Sequence, residues 1–207
     1  MSYMKDQQQE FRELAGWVID QTLKAGAKEC KVNISKRRSV EINYRERKPE
    51  IIKEATTQGL YLEVFYNNRY AGKSTPDFRK STLEGFITDL IDNAAIMEED
   101  PFRTLPDPKY YSGRAIVDLQ QSDPDFGKLT PEERHAMAKA VEDACLKRGG
   151  EKVISVEAGE NDDSWEDFTK TSNGFEGFNK GTNYSIGASM TLQDEGDRRP
   201  NGYHYIS

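Results

Sequence analysis

A two-residue alternation of apolar and polar side chains recurs along this chain and constrains its fold more than any other feature. Cys30, Val32 and Ile34 alternate with polar residues, as do Val40, Ile42 and Tyr44, then Leu60, Leu62, Val64 and Tyr66, and later Tyr184, Ile186, Ala188, Met190 and Leu192. Successive side chains of a strand point to opposite faces, so each run describes a strand with one buried and one wet face. The residues between the runs suggest turns. Lys36-Arg37-Arg38 reads as a charged hairpin turn, and Thr57-Gln58-Gly59 as another after a short strand opened by Ile51 and Ile52. Asn67-Asn68 turns the chain into Tyr70–Lys73. The first third is thus expected to hold a helix followed by about five antiparallel strands. In the second half, Val153–Ala158 and Ser164–Thr169 read as separate strands, and Tyr203 and Tyr205 begin a last one. Ser172-Asn173-Gly174 is a strong turn signal, because Asn and Gly tolerate positive φ.

Three segments carry helical periodicity instead. From about Asp6 to Ala25, Phe11, Leu14, Ala15, Val18, Thr22 and Ala25 share a face, and Gly26 is placed to stop the helix. From about Thr82 to Met97, Leu83, Phe86, Ile87, Leu90, Ile91 and Ala94 form a clean stripe, with Ser81 and Glu84 as a capping box. Thr130-Pro131-Glu132-Glu133 announces the third helix: Thr130 can cap it, Pro131 suits its first position and Glu133 completes a capping box. Its expected apolar face is Met137, Ala140, Val141 and Ala144.

The fold class expected is α+β, with antiparallel sheets packed with helices. Both halves follow a helix with strands, and Thr56-Thr57-Gln58-Gly59-Leu60 is similar to Thr171-Ser172-Asn173-Gly174-Phe175. An internal duplication of a helix-plus-strands unit and chance similarity both account for this. The domains expected are residues 1–97 (helix, sheet, helix), a Pro/Asp-rich connection over 98–129, and a helix with antiparallel strands over 130–207. The last strand reads as still in progress at Ser207, as in a truncated chain.

Composition narrows the function. Only 35% of residues are hydrophobic, yet 10 Tyr, 9 Phe and 2 Trp are not the composition of a disordered tail, so a folded domain with a wet surface is expected. A net charge of −7 argues against nucleic-acid binding, which needs a basic footprint. No stretch approaches the ~18 apolar residues of a membrane helix, and Met1–Glu10 has no apolar signal core. Cytoplasmic location and no membrane partner are expected. Cys30 and Cys145 form no C-x-x-C pair and read as buried thiols.

Motifs that carry chemistry are missing. His135 and His204 lie 69 residues apart and neither begins an H-E-x-x-H helix, so no metal site is expected. There is no G-x-S-x-G and no phosphate-binding glycine loop. The acidic runs Glu160-Asn161-Asp162-Asp163 and Asp194-Glu195-Gly196-Asp197 could attract a hard cation, but solvated hairpin tips are the simpler reading. No catalytic residue and no cofactor are assigned to the chain.

Four stretches, in order, resemble one protein family. Ala25-Gly26-Ala27-Lys28-Glu29-Cys30-Lys31-Val32 is similar to its helix-to-strand passage. Thr57-Gln58-Gly59-Leu60-Tyr61-Leu62-Glu63-Val64-Phe65, followed by Arg69-Tyr70-Ala71-Gly72-Lys73-Ser74-Thr75, is similar to its strand pair. Leu105-Pro106-Asp107-Pro108 matches a proline-rich stretch, and Thr171-Ser172-Asn173-Gly174-Phe175 with Gly181-Thr182-Asn183-Tyr184-Ser185 matches an "SNG" turn and its following strand. The family is TldD/PmbA, long labelled modulators of DNA gyrase, and the resemblance is to its N-terminal portion. It implies a metallopeptidase or its partner subunit. TldD-like subunits carry an H-E-x-x-x-H zinc motif in the C-terminal domain, whereas PmbA-like (TldE) subunits lack it and pair with the catalytic subunit. Together they process unfolded or modified peptides. None of those zinc residues has a counterpart here, so this chain alone is expected to be inactive. The resemblance implies a TldD-like or PmbA-like partner in a homo- or heterodimer, with zinc only in the catalytic subunit. Ser172, Asn173 and Gly174 are the candidate contact with peptide or partner. The alternatives are a stand-alone interaction module, gyrase- or toxin–antitoxin-linked, and an unrelated small-molecule enzyme.

Overall fold

Cys30, Val32, Ile34, Val40 and Ile42 all fall at even positions and all are buried. A turn at Lys36–Arg38 need not preserve that parity, whereas one uninterrupted strand must. The computed structural model, which describes residues 2–115 and 117–207 with side chains from Gln7 onward, contains that single strand. β1 spans Glu29–Arg45 without a break. The expected turn at Lys36-Arg37-Arg38 is therefore corrected to mid-strand, where each of the three cations finds a side-chain partner. Lys36 Nζ donates to Gln7 Oε1 at 3.0 Å, Arg37 pairs with Asp163 at 3.0 Å, and Arg38 pairs with Glu54 at 2.9 Å.

The chain reverses instead at Glu46-Arg47, both left-handed with φ of 53° and 63°. Two consecutive residues of this kind make the tight turn whose twist matches flanking antiparallel strands. β2 then runs from Lys48 to Tyr66, through the expected turn at Thr57–Gly59. Asn67-Asn68 turns it (φ 48° and 59°) into β3, Arg69–Thr75. The expected set of about five strands is three, two of them long. The same holds later: β4 covers Val153–Thr171 and joins the two separate strands expected there. β5 covers Glu176–Leu192 and β6 Asn201–Ile206. The sheet order is β3-β2-β1-β4-β5-β6, with the β2–β3 and β5–β6 pairs antiparallel. With helix α1 (Ser2–Lys24), α2 (Lys80–Ala95) and α3 (Pro131–Gly149), this is an α+β fold. Each half has one helix leading into three strands, but the matched pentapeptides differ in structure. Residues 56–60 lie inside β2, whereas Ser172–Gly174 form the β4–β5 turn.

Helix starts follow local chemistry. At α3, Thr130 Oγ1 accepts from the Glu133 N–H at 3.2 Å while Glu133 Oε2 accepts from the Thr130 N–H at 2.8 Å, the reciprocal box expected. At α2 the expected Ser81–Glu84 box is absent, because the helix begins at Lys80 and Ser81 is already inside it. No side chain caps the first turn; just before it, Asp77 accepts from the N–H of the N-cap residue Arg79 at 3.0 Å and from Thr82 Oγ1 at 3.1 Å.

The chain divides into two compact units that both draw on the long strands. The first comprises Met1–Lys36, Thr57–Leu119 and Glu166–Lys180. Its core is apolar: Phe11, Ala15 and Val18 of α1 and Leu83, Phe86, Ile87 and Leu90 of α2 pack with Cys30, Val32, Ile34, Leu60, Leu62, Val64 and Phe168. Full burial of such side chains stabilises by about 1.5–3 kcal/mol each. The second unit comprises Arg37–Thr56, Gln120–Trp165 and Gly181–Ser207. Its apolar clusters are small, one around Val40, Ile42 and Ala138 and another around Val156, Ala158 and Ala188. Charged side chains fill the interior that those clusters leave. Among the described residues, no helix is long and apolar enough to cross a membrane.

A candidate ligand cavity above a buried carboxylate pair

The strand period that buries Val156 and Ala158 also buries the next two even-numbered residues of β4, Glu160 and Asp162, each 2% exposed. The expected solvated tip at Glu160–Asp163 is thus corrected: these residues are mid-strand, with two acids in positions an apolar side chain would ordinarily fill. α3 meets them with a matching stripe. Its buried residues are Arg134, Ala138 and Glu142, spaced one helical turn apart, while the expected apolar residues Ala140 and Ala144 face solvent. Within that stripe Arg134 is buried against the acid of β4 that it neutralises, Asp162.

Arg134 holds the centre. Its guanidinium donates to Asp162 Oδ2 through Nε and to the Leu129 carbonyl through Nη1 at 2.6 Å. The two side chains are 3% and 0% exposed. Further along α3, Glu142 Oε1 accepts from the N–H of Arg47, in the left-handed β1–β2 turn, at 2.8 Å. Glu160 differs from both: neither carboxyl oxygen has a hydrogen-bond partner, and Asp162 Oδ1 has none either. Burial, then the neighbouring Asp162 charge, push the Glu160 carboxyl up to about 7, with Arg134 pulling the other way. A proton on Glu160 can be shared with Asp162, which further favours the neutral acid.

Glu160 contributes to the lining of a cavity of about 560 Å³ in the second unit, whose other lining residues include Asp123, Asp125, Lys128, Leu129, Glu133, Met137, Tyr184, Ser185, Ile186 and Ile206. The loop before α3 is stitched to β5. The Asp123 N–H donates to Thr182 Oγ1 at 2.9 Å, the Thr182 N–H donates to the Gln121 carbonyl at 2.9 Å, and the Tyr184 hydroxyl donates to Asp123 Oδ2 at 3.0 Å. Burial and the Asp123 carboxylate push Tyr184 up to about 12, which makes it a hydrogen-bond donor across the physiological range and not a base. Ser185 donates to the Asn161 carbonyl at 3.4 Å, so its hydroxyl is not activated by a neighbouring base. These groups can bind and orient a ligand.

The residues singled out by sequence lie elsewhere, in the first unit. Ser172 Oγ accepts from the Cys30 N–H at 3.0 Å, and the Ser172 N–H donates to the Cys30 carbonyl at 2.9 Å. Asn173 Nδ2 donates to the Pro106 carbonyl at 2.9 Å, and Gly174 is exposed at φ 100°. Cys30 is fully buried, and burial pushes its thiol up to about 12. His135 meets the Tyr44 hydroxyl through Nδ1 at 3.2 Å, and His204 lies exposed on β6. Among the described residues no group of three His, Cys, Asp or Glu is placed to hold a metal ion. Sequence reading passed over Arg134, took Glu160 for part of a solvated hairpin tip and saw Tyr184 only as a strand residue. The available signal was the unbroken parity of Val156, Ala158, Glu160 and Asp162.

Among solved structures, the chain is similar to a candidate modulator of DNA gyrase from Bacteroides thetaiotaomicron, at 34% identity and a TM-score of 0.90 over 95% of this chain and 44% of that one. A second candidate modulator of a DNA gyrase, from Thermotoga maritima, matches at 14% identity and a TM-score of 0.75 over 94% of this chain and 42% of the other. TldE from Thermococcus kodakarensis matches at 10% identity and a TM-score of 0.73 over 93% and 42%. These last two likenesses concern the fold. No family model and no curated protein matches the sequence. The chain spans less than half the length of each of these solved proteins. With four ordered stretches of family-like sequence and the same fold at 34% identity over 95% of its length, the chain belongs with the DNA gyrase-modulator proteins to which its resemblance to TldD/PmbA pointed.

Proposed function

We propose that this chain is the non-catalytic N-terminal region of a TldD/PmbA-type metallopeptidase or of its partner subunit. In this reading it builds the framework for subunit assembly and for a chamber that receives unfolded or modified peptides. The observation that carries the reading is the 34%-identical fold match across 95% of the chain to less than half of a longer protein. Its two histidines lie apart, His135 at the Tyr44 hydroxyl and His204 exposed on β6. The Ser172-Asn173-Gly174 turn is the proposed contact with peptide or partner, since Gly174 is exposed while its neighbours are anchored to Cys30 and Pro106.

The test uses the purified chain alone and mixed with a TldD-like catalytic subunit. Metal analysis of the chain alone is expected to find no zinc, and casein is expected to survive incubation with it. Size-exclusion chromatography with light scattering is expected to show a stoichiometric complex with the catalytic subunit. Stoichiometric zinc on the isolated chain, or casein cleavage by it, would sink the reading.

A further inference from the structure

We infer that the cavity lined by Glu160 is a binding site for a primary alkylammonium group carried on an aliphatic stem. The argument begins with which acids around the cavity are already satisfied. Asp125 pairs with Lys128 at 2.6 Å, Glu133 is committed to the α3 capping box, and Asp123 accepts from Tyr184 and from the Asp125 N–H. Behind the lining, Arg134 engages Asp162 through one oxygen. Glu160, 2% exposed, accepts a hydrogen bond on neither oxygen; the neutral acid can share its proton with Asp162, but the carboxylate has no donor. A buried carboxyl without a donor is costly to keep, and a ligand that brings a charge-assisted donor removes that cost.

The rest of the lining specifies the body of such a ligand. Leu129, Met137, Ile186, Ile206 and the Tyr184 ring, which contacts Phe126 at 5.3 Å between centroids, offer apolar surface to methylenes. An ammonium head with an alkyl stem satisfies both parts, in the way that long cationic side chains bury their stems and keep their heads with a partner. The Arg134 guanidinium already engages Asp162, so the incoming cation on Glu160 completes a two-plus, two-minus arrangement with Arg134, Asp162 and Glu160.

The bound form of Glu160 is the carboxylate. The groups facing it are Asp162 on its own strand, Arg134 and Glu133 on α3, Tyr184 on β5, and Asp123, Asp125 and Lys128 on the loop before α3. β6 contributes Ile206 and Ser207, which have no ionisable side chains. With the Glu160 carboxyl near 7, roughly a tenth is ionised at pH 6 and nine-tenths at pH 8, so binding should tighten about tenfold across that interval.

Two sources share this chemistry, a free diamine and a lysine side chain of a peptide. Calorimetric titration of the chain with 1,5-diaminopentane and with Nα-acetyl-lysine methylamide separates them by which binds more tightly. The Nζ-acetylated form of the second compound is the control. Binding of either amine, lost on acetylation, tightened about tenfold from pH 6 to pH 8 and weakened at least tenfold in Glu160→Gln, is the expected result. A circular-dichroism spectrum matching wild type confirms that the variant folds, and the wild-type pH series stands without it. No heat from either amine at millimolar concentration, equal binding by the acetylated control, or a pH-independent affinity would each overturn the assignment. These outcomes do not depend on assembly with a catalytic subunit, so failure here leaves the proposed function untouched.

Discussion

Replacing Glu160 by glutamine keeps the side chain's shape and removes its charge, so it isolates what the buried carboxyl does to stability. A carboxyl raised from 4.5 to about 7 binds its proton more tightly in the folded chain than in the unfolded one. Between pH 4.5 and 7 the unfolded chain releases that proton while the folded chain retains it, so stability falls as pH rises through this window and levels off above it. The full shift corresponds to roughly 3 kcal/mol, and water in the open cavity lowers this to about 1–3 kcal/mol. The amide cannot ionise, and its Nε2 can donate to the free Asp162 Oδ1. Glu160→Gln should therefore match wild type near pH 5 and exceed it by about 1–3 kcal/mol at pH 8.5. Urea unfolding midpoints of both proteins at pH 5, 6, 7 and 8.5 measure the difference, and the other carboxylates cancel between them. A difference that does not change with pH, or a variant less stable than wild type at pH 8.5, would refute the buried, raised carboxyl.

Three further outcomes test the surrounding architecture. Arg134→Met leaves Asp162 buried without its cation and should cost about 3–5 kcal/mol in urea unfolding, with much of the loss recovered in Arg134→Met/Asp162→Leu. Thr130→Ala removes the side-chain half of the α3 capping box and should lower stability by about 1 kcal/mol, read as a drop in melting temperature. Cys145, half-buried on α3, should react slowly with a thiol reagent at pH 8, while Cys30 should react only after denaturation; quantitative labelling of Cys30 in the folded chain would contradict its burial.

Much of the architecture was written in local pattern. The stripe Leu83, Phe86, Ile87, Leu90, Ile91 and Ala94 is the buried face of α2, and Thr130–Glu133 begins α3 as its side-chain chemistry dictates. Asn67-Asn68 and Ser172–Gly174 turn the chain because those residues accept left-handed or tight conformations at little cost. The same local logic missed the longest strands. Lys36-Arg37-Arg38 looks like a turn because three adjacent cations normally belong to water, yet Gln7, Asp163 and Glu54 supply partners from distant parts of the sequence.

The candidate site shows the division most clearly. Sequence by itself determined that α3 starts at Thr130 and that Val153–Ala158 alternates, but it turned the wrong face of α3 inward and broke β4 at Glu160–Asp163. It could not determine that Glu160, Asp162 and Arg134 would be the residues buried there, because a lone acid or arginine scores as solvent-facing until its partner is known. Their burial depends on the electrostatic fit between a strand and a helix 28 residues apart in the case of Arg134 and Asp162, and only the tertiary structure brings that pair together. It also leaves Glu160 without a partner, since a single guanidinium serves two neighbouring carboxyl groups and bonds directly to one of them.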